Sequence, residues 1–350
     1  MRIRHFLLLI TIASASLSTV QAATPIGGLT VAVSADGSQL VAGGDSRTLI
    51  VLDPETLKTT KRHWIGTTIV DLVFSKDGSV LAVHDTADAV YLYKTSDWTE
   101  IAKIPKVVNF SAAPDADLIA GHDGGYKELN AKVYSLTDGS EKASIPLPEG
   151  KKVAVLGINA EGTKIAILCQ GEKDESEPKV EYNAIPKDLK GIAAKEFQQK
   201  NDGTTSTFLL IDIADSSIEK EAKTFFTESR GSIAYSGDNI ALVAYGNVNA
   251  KITPSGEFTL FDLKNSYNYG IGFNRDCSKI LTGGLANYSI TPMESLESVT
   301  GKLDKLPGWP EYFKGFSGTA DGSALYGSTS AFRVVKFNSD GSVAVAMPGK

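Results

Sequence analysis

One five-residue turn recurs along this chain and restricts what it can fold into. Ser34–Ala35–Asp36–Gly37–Ser38 and Ser75–Lys76–Asp77–Gly78–Ser79 are nearly identical, and Thr319–Ala320–Asp321–Gly322–Ser323 repeats the form. Asp–Gly is a strong hairpin signal, because Gly accepts positive φ and Asp hydrogen-bonds its own backbone. Looser copies lie at residues 114–117, 160–163, 236–239 and 275–278. An apolar anchor follows each turn: Leu40, Leu81, Leu118, Ile165, Ile240, Ile280 and Leu325.

Successive anchors are 41, 37, 47, 75, 40 and 45 residues apart. A period of about 40–45 residues with about four short strands per unit is the mark of a β-propeller blade. The long interval reads as an ordinary repeat carrying an insertion at residues 170–206. The expected fold is therefore all-β: a seven-bladed β-propeller of four-stranded antiparallel blades over residues 23–350, with a short helical insertion in blade four. Within the repeats, apolar and polar residues alternate poorly, as in sheets covered on both faces. Length alone would suggest two domains, but blades add side by side around one ring.

The chain resembles the WD-repeat and YVTN-type propellers over roughly residues 27–350. The likeness rests on these turns, on LAVHD (residues 81–85) and LIAGHD (residues 118–123), and on third strands such as residues 48–53 and 207–212. The Gly–His and Trp–Asp dipeptides of eukaryotic WD repeats are missing from their usual framework, which favours the bacterial, YVTN-like group. The resemblance implies a rigid binding or scaffold module. It also admits a periplasmic enzyme or enzyme subunit, of the lactonase-type hydrolase or amine dehydrogenase heavy-chain kind. Such motifs specify fold far better than function.

Arg2, Arg4 and His5 precede an apolar run at residues 6–12, then small residues and Val20–Gln21–Ala22–Ala23. That is the pattern of a secretory signal peptide cleaved near Ala22, so the expected location is periplasmic or secreted. The apolar run falls short of the roughly 20 residues a membrane span needs. Net charge is −6, and loss of Arg2 and Arg4 with the leader makes it −8. Such a surface has no electrostatic footprint for nucleic acid. The two cysteines, Cys169 and Cys277, fall in non-adjacent repeats and are not expected to pair.

Three regions are candidates for function. The insertion carries Leu189, Ile192, Ala193 and Phe197 at helical spacing, which predicts a helix over residues 188–199 lying over blade four. Tyr182, Leu189 and Phe197 are its expected partner-binding residues. The second region is the upper mouth of the central channel. Lys106, Lys151, Lys152 and Arg230 precede innermost strands there, beside Tyr269 and Tyr312. Basic donors with aromatic walls suit a protein partner or a small anionic ligand; Lys106, Lys152, Arg230, Tyr269 and Tyr312 are the expected ligand-binding residues. The third is His84–Asp85 and His122–Asp123, a pairing that binds transition metals when a third ligand joins it. No third ligand is evident, so these read as exposed histidines beside loop-capping aspartates, and no metal is expected. No nucleophile elbow, zinc motif, phosphate loop or haem motif occurs, so no catalytic residue and no cofactor is assigned. The leading expectation is an exported propeller that binds through its top face. Ring closure is expected to pack blade one against blade seven without a shared sheet.

Overall fold

The computed structural model describes residues 28–124, 129–173, 184–226, 231–237, 239–244, 249–263, 267–304, 306, 310–339 and 342–348. The expected leader, residues 1–22, lies outside them. Consecutive strands fold into four-stranded antiparallel meanders. The first is β1 (Leu29–Val33), β2 (Leu40–Gly44), β3 (Thr48–Leu52) and β4 (Thr59–Trp64). The second is β5 (Ile69–Phe74), β6 (Val80–Asp85), β7 (Val90–Lys94) and β8 (Glu100–Ile104). The third is β9 (Val108–Ala113), β10 (Leu118–His122), β11 (Asn130–Ser135) and β12 (Glu141–Pro146). In the fourth, β13 (Val153–Ile158) and β14 (Lys164–Cys169) are followed by the two-residue β15 (Glu172–Lys173) and helix α1 (Gly191–Lys200), then β16 (Thr204–Asp212) and β17 (Ile218–Thr224). The fifth is β18 (Gly231–Ser236), β19 (Asn239–Ala244), β20 (Asn249–Ile252) and β21 (Phe258–Phe261). The sixth is β22 (Gly270–Phe273), β23 (Lys279–Gly283), β24 (Asn287–Pro292) and β25 (Val299–Lys302). The last is β26 (Phe313–Gly318), β27 (Leu325–Thr329), β28 (Val334–Phe337) and β29 (Val343–Ala346).

The recurring turn holds each hairpin through one carboxylate. Asp36 accepts hydrogen bonds from Ser34 Oγ (2.6 Å), Ser38 Oγ (2.9 Å) and the Ser38 amide (3.0 Å). Ser34 Oγ in turn accepts the Gln39 amide at 3.0 Å. These donors, Ser34 foremost, hold the Asp36 carboxyl down at about 2. Asp77 and Asp321 repeat the arrangement with Ser75 and Thr319. In two of the looser copies asparagine replaces the leading hydroxyl. The Asn159 and Asn274 side-chain oxygens accept the Lys164 and Lys279 amides at 2.8 and 2.6 Å.

Side chains alternate across each strand, and here both faces are buried. In β14, Ile165, Ile167 and Cys169 pack towards the third meander, while Ala166 and Leu168 pack towards the fifth. In β6, Leu81 and Val83 face the first meander, and Val80 and Ala82 face the third. Similar clusters join the fifth to the sixth and the sixth to the last. One more joins the last meander to the first, through Leu29, Val31, Leu40, Tyr326 and Val334. The sheets therefore stand face to face around an axis, the arrangement of a β-propeller.

The first and last meanders share no ladder among the described residues. Apolar contact joins them, as expected from the sequence, but so do side-chain hydrogen bonds. Ser317 Oγ accepts the Val33 amide at 3.1 Å, and Tyr326 donates its hydroxyl proton to the Pro54 carbonyl at 3.0 Å. The sixth and last meanders are joined through backbone, by a parallel pair of β22 and β26 at Ile271 and Gly315. Glycine permits that approach. A Cβ on Gly272 would lie 2.5 Å from the Phe316 carbonyl oxygen, and one on Gly157 2.5 Å from the Ile233 carbonyl oxygen.

Two details differ from the sequence reading. Helix α1 begins at Gly191, three residues later than predicted, because Gly191 has φ of +57° and Lys190 provides no side-chain cap. Leu189, Ile192 and Phe197 are half-buried, and the helix leans on β21, the outer strand of the next meander, rather than lying over blade four alone. Its apolar stripe is too short to seat fully: only Ile192 joins the cluster between the fourth and fifth sheets. Cys169 and Cys277 are both free.

Replacing Gly272 with alanine is predicted to force the sixth and last inner strands apart and to cost about 1–3 kcal/mol. Urea unfolding of Gly272→Ala against the native chain measures it; an unchanged midpoint would show that the close approach is not required.

Candidate functional site

Every innermost strand (β1, β5, β9, β13, β18, β22 and β26) contributes to one cavity of about 250 Å³. This is the central channel. Inner strands present a free edge to it, and side chains of neighbouring sheets satisfy part of that edge. Ser111 Oγ accepts the Ile158 amide at 3.2 Å, and Asn109 Nδ2 donates to the Ala154 carbonyl at 3.2 Å.

Arg275 spans the end of the channel where the inner strands finish. It stands in the turn after β22, yet its Nε donates to Asp115 Oδ1 in the third meander. Its Nη1 donates to the Phe74 carbonyl in the second meander, at 3.3 Å. Nη2 is buried and has no hydrogen-bond partner among the described residues.

Asp71 stands nearer the other end, where the inner strands begin. Its side chain is open to the cavity but ringed by protein atoms. The resulting loss of hydration pushes its carboxyl up from 3.8 to about 6, against the Leu72 amide, which donates to Oδ1 at 2.8 Å and favours the charged form. Lys314 of β26 lines the same cavity.

The rim at this end is aromatic between the sixth and last meanders. Tyr267 and Tyr269 stand 4.7 Å apart by ring centroids, and Tyr269 and Tyr312 stand 5.0 Å apart. Lys314 Nζ lies over the Tyr312 ring at 5.8 Å. Leu285, 55% exposed, pairs with Tyr312 through an isolated bridge. Tyr267 and Tyr269 are 46% and 38% exposed.

Of the residues picked from sequence, the fold brings Tyr269 and Tyr312 together. Lys106 and Lys152 are exposed and line no part of the cavity. Lys151 is engaged by Glu172 at 3.2 Å. Arg230 and Tyr182 lie outside the described residues. Sequence reasoning gave no role to Asp71, Lys314, Arg275, Tyr267 or Leu285. A register of the inner strands would have found two of them: Asp71 and Lys314 are the charged residues within those strands.

The histidines are buried, not exposed as the sequence suggested. His84 stacks on Phe110 at 5.0 Å between the second and third meanders. His122 Nδ1 accepts the Gly124 amide at 3.1 Å. Desolvation lowers both imidazoles from 6.5. Asp85 caps its loop, accepting the Ala87 and Ala89 amides at 2.9 Å. Among the described residues no group of three His, Cys, Asp or Glu side chains is placed to hold a metal, and no helix is long and apolar enough to cross a membrane.

No protein-family model matches this chain, and no curated protein sequence does. Solved structures do. Hydrazine synthase of Kuenenia stuttgartiensis superposes with a TM-score of 0.58 at 15% identity, covering 95% of this chain and 98% of that one. The β-propeller domain of Myceliophteria thermophila Cps50 (Swd1) superposes with a TM-score of 0.60 at 11% identity, covering 91% of this chain and 96% of that one. These likenesses establish the β-propeller fold of this chain.

Asp71 yields a pH prediction. Its folded pKa is raised, so its contribution to stability is complete below the unfolded value near 3.8 and is lost as pH rises through about 6. Asp71→Asn is therefore predicted to be more stable than the native chain at pH about 7 and equal to it below pH about 4. Urea unfolding at the two pH values checks this; equal stabilities at neutral pH would refute it.

Proposed function

We propose that this chain is an exported, seven-bladed β-propeller that works as a binding module, engaging a protein partner through the rim where its inner strands begin. The observation that carries this reading is the cluster of tilted rings Tyr267, Tyr269 and Tyr312, the first two exposed and the third half-buried, flanked by Leu285 and backed by Lys314. Tyrosine offers a large, rigid contact surface with a polar tip and is enriched where protein partners bind most tightly. A broad aromatic patch suits a protein better than the small anion that the rim lysines suggested. Lys106 and Lys152, a blade or more away, supply only outlying charge. The seven-blade count is supported by the seven meanders and by the apolar cluster between each successive pair. Export is supported by the leader pattern of residues 1–22.

An enzymatic reading draws less support. Asp71 is the one carboxylate among the described residues lining the channel, and no imidazole joins it there. A hydrolase or dehydrogenase subunit needs a convergent acid–base set.

The test is affinity capture from the exported fraction of the source cells, with the native chain and with a Tyr269→Ala/Tyr312→Ala variant. A partner held by the native chain and lost by at least about tenfold in the variant is expected, since each aromatic anchor contributes about 2 kcal/mol or more. Equal recovery by both would reject the rim as the site. Amino-terminal sequencing of the exported protein should begin at Ala23.

A further inference from the structure

The seven innermost strands hold two charged residues, of opposite sign: Asp71 in β5 and Lys314 in β26. Both line the channel cavity. Both sit at strand irregularities. The register of β5 against β6 shifts between Ile69 and Asp71, and that of β26 against β27 shifts between Phe313 and Gly315. A bulge re-aims the side chains beside it, and bulges concentrate near functional sites. Strand β1 packs against both β5 and β26, so the two charges flank it from either side. The stem of Lys314 runs along the start of the first meander, with its Cγ 2.9 Å from where a Cβ on Gly28 would be.

Neither charge is neutralised by the other or by a third group among the described residues. Asp71 accepts the Leu72 amide, and Lys314 lies over Tyr312. Several other polar groups of the channel wall are already used. Ser111, Ser317 and Asn109 bond across to neighbouring sheets, and Arg275 is held at the far end. Asp71, ringed by protein atoms, bears a dehydration cost that a bound ammonium returns, while Lys314 is exposed and keeps its ammonium available to an anion.

We propose that the entry half of the channel binds a small molecule carrying both an ammonium and a carboxylate group, the ammonium on Asp71 and the carboxylate on Lys314. This site goes beyond the rim reading and does not depend on it. The opposed charges give selectivity by exclusion. A plain cation gains Asp71 but meets Lys314, and a plain anion gains Lys314 but meets Asp71. A cavity of about 250 Å³ lies below the range that suits drug-sized ligands, so the ligand has only a few heavy atoms. Arg275 crosses the far end of the channel to Asp115 and Phe74.

The test is isothermal titration of the full chain at neutral pH with alanine and β-alanine, and with acetate and ethylamine as the separate halves. At least one amino-carboxylate is expected to bind about tenfold or more tightly than either half, because a charge-assisted hydrogen bond contributes on the order of a tenfold gain at each end. Asp71→Asn and Lys314→Met should each lose about tenfold, while Lys142→Met, exposed on the outer strand β12 and away from the cavity, should bind as the native chain does. Asp71→Asn conserves shape and is predicted to be the more stable protein at neutral pH, so its loss of binding reads the site and not the fold. The Tyr269→Ala variant, which leaves the contact of Lys314 with Tyr312 in place, should keep this affinity even where it loses the partner, which separates the two proposals. Amino-carboxylates that bind no better than their halves would overturn the inference, as would unchanged affinity in either charge variant.

Discussion

Apolar contact between facing sheets is what this structure rests on. Each strand of a meander sends alternate side chains into two different interfaces, as β19 does with Ile240 and Leu242 on one side and Ala241 and Val243 on the other. A buried leucine or isoleucine contributes about 1.5–3 kcal/mol, and a neutral hydrogen bond about 0.5–1.5 kcal/mol. At the junction of the first and last meanders, Leu29, Val31, Leu40, Ile50 and Val334 thus outweigh polar braces such as those from Ser317, Tyr326 and Thr59. The Lys336–Glu55 pair at the same junction is 2.8 Å long, but Glu55 is largely exposed and the pair adds little. The braces fix orientation; the apolar faces hold the sheets together.

The channel is a by-product of that packing and inherits its limits. Inner strands come as close as their side chains allow. Where Gly157, Gly272 and Gly315 stand, backbone meets a neighbouring sheet almost directly. The result is a narrow cavity, in which a charge is noticed. Asp71 and Lys314 stand where the other inner strands carry apolar, small or neutral polar residues. Two opposite charges, not paired with each other, on the wall of one narrow cavity are the chief physical reason to regard the channel as more than a packing gap.

Much of the architecture was legible in the sequence because its signals are local. Asp–Gly turns with a leading hydroxyl specify hairpins, and the interval between them specifies the repeat. The structure explains why two of the looser copies still count: Asn159 and Asn274 supply the oxygen that Ser or Thr supplies elsewhere. The insertion was legible as helical but not in extent, since Gly191 sets the start through its backbone conformation and the apolar stripe touches the fold only through Ile192. The site was legible only in part. Tyr269 and Tyr312 are 43 residues apart, and position before an inner strand was enough to place them at one rim. The lysines chosen by the same rule did not converge, because a residue just before a strand can point outwards as easily as inwards. Arg275 was hidden because its partners, Phe74 and Asp115, lie on the other side of the ring. His84 and His122 looked exposed at strand ends, but packing between the second and third sheets covers them.

The central claim is a closed ring, in which the last meander covers a face of the first. Truncation after Pro310 tests it most directly, because it removes the whole last meander and leaves every other strand pairing of the first intact. Hydrogen exchange of β1, β2 and β3 in the truncated chain is the measurement. The account predicts that their amides lose protection together with the rest of the chain, since Leu29, Val31, Leu40 and Ala42 would face water. Native-like protection of β1 to β3 after the truncation would contradict it, and would make the meanders an open stack in which each sheet needs only its neighbour on one side.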